Sequence, residues 1–178
     1  VRTSGSQGKQ VRIGVIGANE CSQDVWKIAF DIGVHIARSR AILICGGMGG
    51  VMEAAAKGAK SAGGLTVGIL PGGDPADANP YIDIPIATGI NYARNVLVAR
   101  TSQALIALGG RYGTLSEIAH ALNLGRPVVG IKTWDLNAID DEKQIVVETD
   151  PAAAVAKALS LVGELNGHMP YDRGGRMS

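Results

Sequence analysis

The sequence predicts an α/β fold: a single Rossmann-like, doubly wound domain with a mostly parallel central sheet flanked by helices. Short apolar runs alternate with helix-length segments along nearly the whole chain, the pattern of parallel strands joined by crossover helices. Two of the strand-to-helix junctions are rich in glycine, and glycine makes up 25 of 178 residues, about twice the ordinary share of ~7%. A chain of 178 residues also fits one domain of the usual ~100–200 and can bury roughly 70% of its unfolded surface.

The elements follow in order. Residues 11–18 (VRIGVIGA) read as the first strand, with a polar loop over 19–24. Residues 25–38 form a helix, with apolar Trp26, Ile28, Ala29, Val34 and Ile36 interleaved with Lys27, Asp31 and His35. A strand over 41–45 runs into Gly46-Gly47-Met48-Gly49-Gly50, and the Ala-rich segment 51–61 is a helix closed by Gly63 and Gly64. Strands are expected over 65–70, 82–86, 104–108 and 127–131, with a loop of turn formers over 71–80 and helices over 92–100 and from about 115 to 124. Residues 145–148 are a candidate edge strand, and Asp150-Pro151 opens the last helix, Asp as the cap and Pro in the first turn. Residues 1–10 read as a disordered leader, 11–165 as the Rossmann-like domain, and 166–178 as a flexible tail.

Composition narrows the function. Lys and Arg number 17 against 16 Asp and Glu, a net charge of +1 that gives no strong field toward nucleic acid. With one Phe, two Trp and four Tyr, the core must be small and aliphatic. Cys21 and Cys45 stand apart without a CxxC pairing, which fits a reducing compartment, and no apolar run is long enough to span a bilayer. A cytoplasmic location is expected. His35, His120 and His168 are scattered without ligand-like spacing, so no metal is expected.

Ligands of doubly wound sheets bind at the C-terminal ends of the strands. That edge carries four informative loops: residues 19–24, 46–50, 91–94 and 109–114. Two of them, Gly46–Gly50 and Gly109-Gly110-Arg111-Tyr112-Gly113-Thr114, join strand to helix through glycines, which suits a phosphate at the helix start. Tight turning alone would also explain the glycines, but two such loops in one small sheet favour a phosphate-bearing ligand. Met52 stands where a dinucleotide fingerprint needs its third glycine, and no GxxxxGK[ST] occurs. By spacing alone Thr114-Leu115-Ser116-Glu117 reads as a capping box; the functional alternative is a carboxylate held beside a phosphate loop. Glu53 has the same helix-start explanation. Arg94 is either a surface charge or a planar donor to phosphate or base, and its spacing does not decide between them.

Taken together, CGGMGGVMEAAAKGA, GGLTVGILP, NYARN and GGRYGTLSE resemble the LOG ("lonely guy") family of nucleotide phosphoribohydrolases over residues 12–132. The neighbouring branch that includes molybdenum-cofactor carrier proteins is also similar. Members of this superfamily are sometimes labelled lysine decarboxylases, but no pyridoxal-phosphate lysine context supports that here. The resemblance implies that Arg94 and Glu117 are catalytic. It further implies that Gly46, Gly47 and Gly50 form one nucleotide-binding loop and that Gly110, Gly113 and Thr114 form the phosphate turn. The chain departs from the PGGxGTxxE signature at Gly109 and Arg111, and Asn95 stands where a Lys commonly follows the Arg. Arg111 either blocks the backbone's approach or adds a cation to the same phosphate.

The first function this implies is hydrolysis of the N-glycosidic bond of a nucleoside 5′-monophosphate, AMP-like or a cytokinin nucleotide, releasing free base and ribose 5-phosphate. No cofactor is required, and the expected bound ligand is a nucleoside monophosphate or phosphate. The alternative is a non-catalytic carrier of a phosphate-bearing ligand such as the molybdenum cofactor. Retention of Arg94 and Glu117 favours hydrolysis; the altered turn at Arg111 favours carriage. A third reading, single-stranded DNA binding of the DNA-processing type, is disfavoured by the near-zero net charge and few aromatics. The resemblance also implies a homodimer or higher homo-oligomer.

Overall fold

The computed structural model describes residues 10–136 and 145–168, with side chains as far as residue 165. The leader, apart from Gln10, and the tail beyond His168 lie outside the described residues.

The apolar runs become parallel strands because β-branched and small residues alternate between two buried faces. In chain order the elements are β1 (Arg12–Gly17), α1 (Gln23–Arg38), β2 (Ile42–Cys45), α2 (Val51–Ser61), β3 (Thr66–Leu70), β4 (Ile84–Ala87), α3 (Asn95–Thr101), β5 (Ala104–Leu108), α4 (Tyr112–Asn123), β6 (Val128–Ile131), β7 (Val146–Val147) and α5 (Pro151–His168). Short 3-10 turns occupy Pro75–Asp77 and Asn91–Arg94. The strand order is β4-β3-β2-β1-β5-β6-β7, and every pairing among the described strands is parallel. The sheet is therefore wholly rather than mostly parallel.

Alternate strand residues feed two cores. Ile13, Val15, Leu43, Ile106 and Val129 meet α1, α2 and α5, whereas Ile16, Ile44, Ile69, Leu105 and Val128 meet α3 and α4. The largest fully buried side chains are all Ile or Leu, the small aliphatic core that the composition requires. Small residues also let α1 and α2 lie very close. A Cβ on Gly33 would run into the Ala55 carbonyl oxygen, and one on Gly58 into that of Phe30.

The helix ends follow their local chemistry. Gly63, at φ +75°, turns the chain out of α2 while the Gly64 N–H bonds back to the Ala59 carbonyl at 2.8 Å. Asp150 caps α5 by accepting from the Ala153 N–H at 2.8 Å. Helix α5 runs to His168, three residues into the segment expected to be tail. Two boundaries shift in ways that matter below: α4 starts at Tyr112 rather than near 115, and the helix expected over 92–100 is a 3-10 turn that gives way to α3 at Asn95.

Candidate functional site

Strands β1 and β5 are neighbours, yet the chain leaves them toward opposite faces of the sheet, so a crevice opens between the segments that follow. Gly17 to Glu20 after β1 and Arg111 to Glu117 after β5 form two of its walls. Tyr92, Arg94 and Asn95 close the third. The resulting cleft measures about 300 Å³. Three of the four loops singled out at this sheet edge thus contribute to it.

Arg94 and Glu117, 23 residues apart in sequence, meet there. Arg94 ends the 3-10 turn, and Glu117 lies in the second turn of α4; they are only 9% and 6% exposed. Arg94 Nη1 donates to Glu117 Oε1 at 3.1 Å and to Asn95 Oδ1 at 2.8 Å. Burial pushes the Glu117 carboxyl up to about 7, against the opposing pull of the guanidinium, so this group changes charge near neutrality. Arg94 Nε is buried without a hydrogen-bond partner among the described residues, an unusual state for a group that is always a charged donor.

The early start of α4 overturns the capping-box reading. Arg111, in extended conformation, is the N-cap, and no side chain caps the helix. Thr114 therefore lies within the first turn, and Glu117 turns inward to Arg94 instead of back to a cap N–H. The turn just before explains the shift. Gly109 and Gly110 have φ of +56° and +115°, and a Cβ on Gly110 would collide with the Thr114 side chain. A proline at 109, with φ held near −65°, could not follow this path. Arg111 is exposed and lines the cleft beside Gly113 and Thr114, so its side chain stands at the rim.

The two glycine loops, alike in sequence, differ in three dimensions. In the first, the Gly49 N–H donates to Asn19 Oδ1 at 2.8 Å and the Val51 N–H to the Ala18 carbonyl at 3.1 Å. The Gly47 and Met48 carbonyls accept from the Asn79 side chain at 3.2 and 2.8 Å. Gly46 and Gly47 are buried, and Gly46, Gly47 and Gly50 do not line the cleft. Gly46 makes room: a Cβ there would come within 2.6 Å of Arg94 Nη2 and 2.7 Å of Met52 Sδ. Cys45, beneath this loop, is fully buried, and its thiol is pushed up to about 12 by burial. In the second loop the Gly109 and Gly113 carbonyls accept from Thr133 and Ser116 at 2.7 Å each, but among the described residues no side chain caps the N–H groups at the start of α4, and Arg111, Gly113 and Thr114 face the cleft.

Asn95 is a site residue whose role the sequence did not disclose. It is 4% exposed; its amide oxygen holds Arg94, and its Nδ2 donates to Ser116 Oγ at 2.8 Å and to the Gly113 carbonyl at 3.4 Å. It thereby ties Arg94 to the glycine turn. The signals were its place directly after Arg94 and its departure from the Lys that commonly stands there in the family it resembles. Among the described residues no group of three or more His, Cys, Asp or Glu is arranged to hold a metal, and no helix is long and apolar enough to cross a membrane.

A family model described as the SLOG cluster4 family matches residues 10–159. A protein of Archaeoglobus fulgidus is 52% identical over 124 residues, covering 70% of this chain and 82% of that protein. The molybdenum cofactor binding protein of Rippkaea orientalis has a similar structure, with a TM-score of 0.81 and 34% identity over 86% of this chain and 98% of that one. The molybdenum cofactor carrier protein of Chlamydomonas reinhardtii is similar with a TM-score of 0.79 and 35% identity, over 86% of this chain and 99% of that one.

Proposed function

The chain belongs to the SLOG cluster4 family, and from that premise we propose that it binds a phosphate-bearing small molecule in the Arg94–Glu117 cleft and hydrolyses an N-glycosidic bond. The substrate class is a nucleoside 5′-monophosphate, and the products are free base and ribose 5-phosphate. The observation that carries this reading is the buried Arg94–Glu117 pair, with a carboxyl near 7 facing a cleft at the sheet's switch point.

Each residue then has a task. The uncapped first turn of α4, with Gly110, Gly113, Thr114 and the rim cation Arg111, receives the 5′-phosphate. As the C1′–N bond breaks, positive charge develops on the ribose, and the Glu117 carboxylate stabilises it. A water oxygen bonds to C1′ and gives a proton to Glu117; the departing base takes a proton from solvent water, and Glu117 then returns its own to solvent, so one water is consumed in all. Arg94 acts by hydrogen bonding, orienting the substrate and stabilising charge on the leaving base. Holding the phosphate fixes the sugar for attack, a positioning effect that can supply several kcal/mol of the barrier, up to about 7–11. Gly46, Gly47 and Gly50 act at one remove, by leaving space for Arg94 and shaping the start of α2. A homodimer belongs to the proposal, with Ile84 and Ile86 of the edge strand β4 as an apolar face that a second copy would cover.

The second reading, non-catalytic carriage of a phosphate-bearing cofactor such as the molybdenum cofactor, is favoured by the likeness to the Rippkaea and Chlamydomonas proteins. Incubation with AMP, GMP, CMP and N6-prenylated AMP, followed by chromatography of free base, separates the two. Hydrolysis predicts release that rises with pH through about 7, as Glu117 ionises, and that disappears in Glu117→Ala. A folded protein that releases no base from any of them refutes the hydrolase and leaves carriage.

A further inference from the structure

We propose that a second compartment, adjoining the cleft and walled by Met48, Met52, Pro71 and Tyr92, takes a planar nitrogen heterocycle of the ligand, with the Asn91 amide reading the ring's edge. This rests on the phosphate reading of the α4 turn. The compartment measures about 330 Å³ and shares Asn19, Met52, Tyr92 and Arg94 with the cleft. Together the two cavities fall within the ~300–1,000 Å³ usual for small-molecule sites.

Their chemistry differs as the two ends of a nucleotide differ. Arg111, Thr114, Asn95 and Glu117 belong to the cleft, whereas Met48, Pro71 and Asn91 belong to the compartment. Thioether sulfurs and a phenol ring are polarizable partners for an aromatic face. Tyr92 is 85% exposed, and its ring meets no other ring or cation among the described residues, which leaves its face available. Asn91 stands beside it at φ +52°, its N–H bonded to the Pro71 carbonyl at 3.0 Å. Its side-chain amide has no hydrogen bond among the described residues. That amide offers an acceptor and two donors side by side, the complement of a heterocycle edge with adjacent donor and acceptor atoms. Arg94 borders both cavities, and Glu117 borders only the cleft. A ligand with its phosphate at α4 and its ring in the compartment therefore crosses from sugar to ring beside Arg94.

The test compares affinities for ribose 5-phosphate, AMP and a 6-substituted pterin phosphate by calorimetry, in a Glu117→Gln background so that turnover does not consume the probe. At least one heterocyclic probe is expected to bind about tenfold or more tighter than ribose 5-phosphate, the gain of one ring stack. Adding Tyr92→Ala removes most of that gain and, because Tyr92 also borders the cleft, weakens ribose 5-phosphate by a much smaller factor than the heterocycles. Asn91→Gly, which keeps the positive φ and deletes only the amide, reduces the gain and changes the preference between the two rings. Equal binding of all three probes, or variants that weaken ribose 5-phosphate as much as the heterocycles, overturns the compartment while the phosphate reading stands. Ring-dependent binding with no affinity for ribose 5-phosphate does the reverse. If none binds, both fall.

Discussion

Replacing Glu117 with Gln should make the protein more stable at alkaline pH and leave it nearly unchanged in acid. Burial raises the Glu117 carboxyl from its ordinary 4.5 to about 7, so between those values the folded state holds a proton that the unfolded chain has lost. Stability therefore falls as pH rises through that window, and above it the ionised carboxylate costs about 3 kcal/mol. The Arg94 guanidinium, 3.1 Å away, recovers only part of the cost of removing the carboxylate from water. Glutamine keeps an oxygen for Arg94 Nη1 and never ionises, so it escapes the cost. Glu117→Ala differs, because it leaves Arg94 buried without that acceptor. Urea denaturation of wild type and Glu117→Gln at pH 4, 6 and 8.5 measures the effect, since other titrating groups cancel in the difference. The variant should gain about 3 kcal/mol on wild type across that range. A difference that stays constant with pH, or a variant less stable than wild type at pH 8.5, would show that attraction to Arg94 outweighs burial and refute the reasoning. Base release should be lost in the same variant, which would place the instability and the activity at one residue.

Asn95→Ala removes the acceptor that holds Arg94 Nη1 and the donor to Ser116; it should cost about 1–2 kcal/mol in denaturation and lower base release by about tenfold. Asn95→Asp, which restores the acceptor toward Arg94 but not the donor, should recover part of the activity and so separate positioning from simple loss of fold. Gly58→Ala drives a methyl against the Phe30 carbonyl and should force α1 and α2 apart, costing about 1–3 kcal/mol and lowering Tm by roughly 5 °C or more. An unchanged Tm would mean that the two helices are less tightly apposed than their glycines imply.

Much of the fold was legible because its signals are local. Alternating apolar runs and helix-length segments marked the strands and crossovers, Gly63 marked the end of α2, and Asp150-Pro151 marked the start of α5. The strand order, with β5 beside β1, was not legible, since it depends on which apolar faces meet. For the site, the resemblance singled out Arg94 and Glu117, whereas residue spacing alone left Arg94 open between a surface charge and a ligand donor and favoured a helix cap for Glu117. The reason is geometric: the positive φ at Gly109 and Gly110 starts α4 three residues early and turns Glu117 inward. Nothing in the spacing of Thr114 and Glu117 records that.

The sequence by itself determined the fold class, the aliphatic core and the set of loops at the ligand edge, because each follows from composition, periodicity or turn chemistry within a short stretch of chain. Only the tertiary structure decided which glycine loop is open. Asn19, Ala18 and Asn79, some 30 residues from the first loop in either direction, take up its N–H and carbonyl groups, whereas the second keeps an uncapped helix start facing the cleft. It also decided that Arg94 and Glu117 are partners. Hydrogen bonding and desolvation depend on which groups come within about 3 Å, and that proximity is created by packing rather than by order along the chain.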